Sequence, residues 1–206
     1  MQIKANNIIV LFPTAMEAEP FTVKYGVRVA VELCGIGLAE CAASTARVIL
    51  QMKPELIILA GIAGAYEGKG LYKGDTVLVT REISADLGSM TDGGFRPLPK
   101  NGIDASENFY DCPTPLPDIF RQVVSNSVNT AATPHIMPGT ADIENMEGAA
   151  FFAVCGALEV PFAEIRTVSN YVGEPRTQWI IPQATGKLAD GVATLLEAIN
   201  RNNNFE

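Results

Sequence analysis

An α/β fold is predicted by two features of this 206-residue chain. Short apolar runs such as ELIILAG (55–61) close on glycine, as strands covered on both faces do. Between them lie stretches of helical period, and strands interleaved with helices build an α/β sheet whose ligands sit beyond the carboxyl ends of its strands. No internal repeat is visible. A chain of this length can bury a core without disulfides or metals, so one domain over 1–206 is expected, with a polar tail over 201–206.

The elements follow in order. NIIVLF (7–12) reads as a buried strand ending at Pro13, followed by an acidic turn around Glu17 and Glu19, and GVRVAVELCG (26–35) reads as a second strand or hairpin partner. GLAECAASTARVILQMKP (37–54) is helical in pattern and stops at Pro54. ELIILAG is a central strand, and GIAGAYEGKG after it reads as a turn. GDTVLVTREIS (74–84) and VPFAEIRTVSN (160–170) are strands. The Gly-, Pro- and Asn-rich stretch Asp86 to Pro115 reads as a loop or partial lid, and LPDIFRQVVSN (116–126) as a helix. QATGKLADGVATLLEAIN (183–200) is an amphipathic helix, with the tail RNNNFE frayed.

Composition removes several function classes. Lys plus Arg number 15 against 23 Asp plus Glu, a formal charge of -8, which is the wrong sign for neutralising nucleic-acid phosphates or an anionic membrane. The four cysteines include no CxxC pair, and reduced thiols in a cytoplasm fit them. The first residues carry too short an apolar run for a signal peptide or membrane span, so a cytoplasmic protein is expected. His135 is the only histidine, which excludes any site needing two imidazoles. CGIGLAE puts Glu40 where a dinucleotide fingerprint has its third glycine, and GAYEGKG puts Gly70 where a P-loop has Ser or Thr; both motifs fail.

The segment DIENMEGAAFFAVCG (142–156) poses the functional question, because Glu147 opens a helix that is otherwise almost wholly apolar. The positive end of the helix dipole favours a carboxylate there, and so does a ligand pocket; residue types alone leave both readings open.

TAMEAEPF, CGIGLAE, LIILAGIAGAY, KGDTVLVTREISADLG, NMEGAAFFAVC and PFAEIRTVSNYVGEPR, in that order over residues 14–176, resemble the nucleoside phosphorylase and nucleosidase superfamily. Within it, MEGAAFF followed by IRTVSNYVGEPR is most similar to the futalosine hydrolase family, nucleosidases of an alternative menaquinone route that release hypoxanthine from futalosine. The resemblance implies a three-layer fold with a mixed, twisted central sheet flanked by helices, no cofactor, and a homo-oligomer, a dimer favoured. It implies that Glu147 grips the ribose with Met146 beside it, that Glu19 activates water, and that Asn170 meets the base. Ile62, Ala63 and Gly64 would line the substrate, with Phe151, Phe152 or a neighbouring copy's aromatic side chain as candidates to stack on the base and core burial as the alternative for the two phenylalanines. Arg176, or Arg96, would meet the substrate carboxylate.

Two residue-level arguments narrow the activity. A phosphorylase must hold a dianion with cations and hydroxyls, whereas Pro20, Phe21 and Ile62 occupy positions where relatives carry such groups, so water is the expected nucleophile. Asn170 stands where adenine-cleaving relatives have aspartate. An amide can donate to a 6-oxo group while accepting from a protonated N7, the pattern of hypoxanthine. Cleavage of methylthioadenosine, S-adenosylhomocysteine or aminofutalosine, phosphorolysis, and a non-catalytic nucleoside sensor are the competing readings. The stretch before Glu147 is shorter than in many relatives, which removes a usual source of base stacking.

Overall fold

The computed structural model describes residues 7–26, 29–98 and 108–203. Its first strand, β1 (Ile8–Phe12), is buried at every position, and it lies parallel to β2 (Ala30–Leu33) on one side and β3 (Leu56–Ala65) on the other. The helix α1 (Ala15–Tyr25) crosses from β1 to β2, so the two are parallel neighbours and not a hairpin. α1 replaces the expected acidic turn. Thr14 is its N-cap and accepts from the Glu17 N–H at 3.3 Å, a cap strong enough to start a helix that then accommodates Pro20.

β3 continues past Gly61 to Ala65, so GIAGA is strand and not turn. Its later residues are held by β10 (Phe162–Tyr171) in parallel and by β9 (Ile143–Asn145) in antiparallel pairing. β10 pairs antiparallel with β4 (Thr76–Ser84), β4 parallel with β8 (Arg121–Ser127), and β8 parallel with β9. The five strands β3, β10, β4, β8 and β9 therefore return on themselves. The mixed, twisted sheet closes into a barrel, with β1 and β2 as its open flank and β7 (Phe109–Asp111) on the side of β4.

Three layers result, as expected. α1 packs against α4 (Ile181–Asn203) on one face, and α2 (Leu38–Met52) against α3 (Gly148–Ala157) on the other. The helix read over 116–126 is overturned: its second half is β8, because the β-branched pair Val123 and Val124 enters a slot between β4 and β9 where pairing outweighs the local pattern. Within the stretch read as loop or lid, β5 (Gly88–Thr91) and β6 (Gly94–Pro97) form a hairpin that carries Arg96. Residues 99–107 of that stretch, and 204–206 of the tail, lie outside the described residues.

Candidate active site

The late halves of β3 and β10, the start of α1 and the start of α3 converge on a cavity of about 240 Å³. Glu147 lines it. It is the N-cap residue of α3, yet its side chain makes no cap; the α3 amides are taken instead by Asn145 Oδ1, which accepts from the Glu147 and Gly148 N–H groups at 2.8 Å each, and by Ser127 Oγ, which accepts from Ala149 N–H at 2.7 Å. The carboxylate is thereby free to face the cavity. Oε1 accepts from Gly37 N–H at 3.1 Å and Oε2 from Arg166 Nη1 at 3.2 Å.

The second carboxylate in the cavity is Glu17. Its Oε1 accepts from Ile62 N–H at 3.0 Å and its Oε2 from the Thr14 hydroxyl at 2.6 Å, while burial pushes its carboxyl above the ordinary range. Glu19, the residue named by resemblance, is exposed on α1 and does not line the cavity. Two residues along a helix is a rotation of about 200°, so one helix cannot turn both glutamates inward. The signal that finds the right one is T-x-x-E: Thr14 as N-cap sets the helix phase and puts Glu17 at the third helical position.

Arg166 ties the site together from beneath. Fully buried, it donates from Nε to Glu164 Oε1 at 2.7 Å, from Nη1 to Glu147 and to Ile62 O, and from Nη2 to Asn145 Oδ1 at 3.1 Å. Gly61 makes room for it; a Cβ there would stand 2.4 Å from Nη1. With its guanidinium engaged by Glu164 and Glu147, Arg166 is not free to bind a phosphate. Arg47 and Arg81 pair on the surface with Glu32 and Asp111.

Asn170, the last residue but one of β10, stands at one end of the cavity. Its Oδ1 accepts from the Ser169 hydroxyl at 2.7 Å and its Nδ2 donates to Tyr171 O at 2.9 Å, leaving one amide hydrogen and one lone pair for a ligand. Gly64 faces it closely: an added Cβ would meet Nδ2 at 3.0 Å and Val172 Cγ2 at 3.1 Å.

Ile62, Ala63, Gly64, Met146 and Arg176 all line the cavity. The Arg176 guanidinium carbon lies 5.4 Å from the centre of the Trp179 ring, and both side chains come from the segment that follows Asn170. Phe151 does not line it. Fully buried, it packs edge-on against Phe162 at 5.6 Å between ring centres, because its helical position points it into the core under α3. Thr14, Ile36 and Glu144, which residue types did not single out, contribute to the wall, as do the small residues Ala131 and Ala132 from the stretch before Glu147.

Comparison with known proteins gives the family of the chain and its fold. The family model of the phosphorylase superfamily matches residues 9–118 and 121–200. The chain is 34% identical to the futalosine hydrolase of Thermus thermophilus over 79% of its length and 78% of the relative's. It is 28% identical to the 5'-methylthioadenosine/S-adenosylhomocysteine nucleosidase of Psychromonas ingrahamii, over 87% and 83%. Among solved structures, an MTA/SAH nucleosidase superposes with a TM-score of 0.78 at 19% identity, covering 95% of this chain and 96% of the other, and shares its fold.

Proposed function

This chain belongs to the phosphorylase superfamily, and from that premise we propose that it hydrolyses the N-ribosidic bond of futalosine, releasing hypoxanthine. The observation that carries the choice of base is the carboxamide of Asn170, whose remaining donor and acceptor suit a 6-oxo group beside a protonated N7. An adenine amino group would meet the amide hydrogen donor-to-donor, and such a mismatch in a closed pocket discriminates by orders of magnitude.

Glu17 is the general base of this reading. Both its oxygens are held by short hydrogen bonds, so it is oriented to take a proton from water at the anomeric carbon. Glu147 grips the ribose hydroxyls and stabilises the positive charge that develops on the sugar as the bond breaks. Hydrolysis is favoured over phosphorolysis because the carboxylates of Glu17, Glu144 and Glu147 line the cavity and repel a dianion, and the one cation among the described lining residues, Arg176, lies on the segment after Asn170. The same Arg176, stacked with Trp179, is offered as the partner of the substrate carboxylate. The exposed apolar side chains of Met16 and Ile36 at the cavity support assembly with a second copy, and a cytoplasmic dimer serving menaquinone synthesis completes the reading.

The test is incubation of the purified protein, in phosphate-free buffer, with futalosine, aminofutalosine, methylthioadenosine and inosine, with released bases identified by chromatography. Hypoxanthine from futalosine alone is the expected result. Adenine release would move the protein to the methylthioadenosine nucleosidases, a requirement for phosphate would make it a phosphorylase, and binding without release would make it a sensor.

A further inference from the structure

Beneath Glu147, and outside the cavity, three buried carboxylate-to-donor contacts meet one unsatisfied oxygen. Glu82 on β4 accepts from Asn145 Nδ2 at 2.6 Å through Oε1 and from the Ser127 hydroxyl at 2.6 Å through Oε2. Glu164 on β10 accepts from Arg166 through Oε1, but its Oε2 is buried with no hydrogen-bond donor. Both orphaned and satisfied oxygens crowd the same point: a methyl group on Gly148 would stand 2.2 Å from Glu82 Oε1 and 2.8 Å from Glu164 Oε2. Glycine in the N-M-E-G-A-A block is therefore what lets two carboxyl groups from different strands approach each other.

Two fully buried carboxylates side by side with a single arginine are not balanced, because Arg166 is already shared with Glu147. We propose that Glu82 and Glu164 share one proton, carried on Glu82 and donated to Glu164 Oε2, and that this pair positions Glu147 through Asn145 and Arg166. One added hydrogen satisfies the orphaned oxygen, removes the repulsion and leaves the pair with a single negative charge for Arg166. Burial acts in the same direction, raising the carboxyl of Glu82 well above the ordinary range and that of Glu164 as well, against the pull of Arg166. The other titratable or charged groups facing the pair are Arg166 on β10, Glu147 at the start of α3, Cys112 just after β7 and Cys155 within α3. Both thiols are pushed up by burial and stay neutral, so neither supplies a competing charge.

The positioning role rests on the nucleosidase reading; the proton does not, and the two are tested separately. Infrared spectra at about pH 8, far above the ordinary carboxylate range of about 4, should show the carbonyl stretch of one protonated carboxylic acid. That band should vanish in Glu82→Gln and in Glu164→Gln, since either carboxamide replaces the acid as donor, and persist in Glu19→Gln. For kcat/KM on futalosine, Glu164→Gln, whose amide oxygen can still accept from Arg166 and whose amide nitrogen can donate to Glu82, should stay within about threefold of the parent while Glu82→Ala loses about 30-fold or more, the loss of a buried hydrogen bond to a charged group. Absence of the band, or its survival in both glutamine variants, overturns the shared proton even if Glu82→Ala does not fold. A band that behaves as stated, with Glu164→Gln no better than Glu82→Ala, overturns the positioning role. A parent protein inert on futalosine with the band intact sinks the functional reading and leaves the proton standing.

Discussion

On the side of the sheet covered by α1 and α4, Val10, Leu56, Ile58, Leu78 and Ile165 meet Leu188, Val192 and Leu195, and the packing is almost wholly apolar. On the side covered by α2 and α3, the same strands bury Glu82, Glu164 and Arg166 beside their aliphatic neighbours. Ile165 and its two flanking residues put the contrast within one strand of β10, since successive side chains point to opposite faces. Apolar burial stabilises the fold directly, whereas buried ion pairs roughly break even against an apolar core and are a poor source of stability. The second face therefore carries its charges for what they hold in place, Glu147 and the late half of β3, and the first face supplies the stability that tolerates them.

Substitutions can break this contrast, beginning with the largest effect. Glu17→Gln should lower kcat by about 10²–10⁴-fold in a protein that still unfolds cooperatively, measured as hypoxanthine release and by calorimetry. The pH dependence follows from the direction of its shift. A raised folded-state pKa means that Glu17 is ionised, and able to act as base, only above the ordinary carboxylate range, so the acid limb of kcat/KM should lie above that range. The same shift contributes stability at low pH that is lost as pH rises through the folded pKa.

Arg166→Met should cost about 3–5 kcal/mol of unfolding free energy in a denaturant titration and also raise KM, because it strands Glu147 and Glu164 as unpaired buried charges. Leu195→Ala, on the apolar face, should cost about 2–5 kcal/mol and leave KM unchanged; a matching rise in KM would mean that the two faces are not separable. Asn170→Asp should lower kcat/KM for futalosine by about 10²-fold and raise it for aminofutalosine, a change of partner at the base and not of stability. The smallest effect belongs to Glu19→Gln, which alters an exposed side chain and should leave turnover and melting within error.

Several elements were legible in the residues alone. β1, β4, β10, α2 and α4 follow from apolar period and from Pro and Gly punctuation, because those signals are local. The family resemblance was carried by ordered short motifs, and the family model matches nearly the whole stretch they span. Less legible were the segments whose conformation is decided by neighbours: β8, read as helix, and the second half of β3, read as turn.

For the site, residue types alone left Glu147 open between helix dipole and ligand; the family resemblance pointed to Met146, Glu147 and Asn170, and the fold brings all three to the cavity wall. Which glutamate of Glu17 and Glu19 turns inward was decided by the helix phase that Thr14 imposes, and the burial of Phe151 by the direction of its side chain under α3. Only the tertiary structure brought Glu82, Glu164 and Arg166 to one point beneath Glu147. Hydrogen bonds and charge balance depend on distances between strands far apart in the chain, and no local period records them.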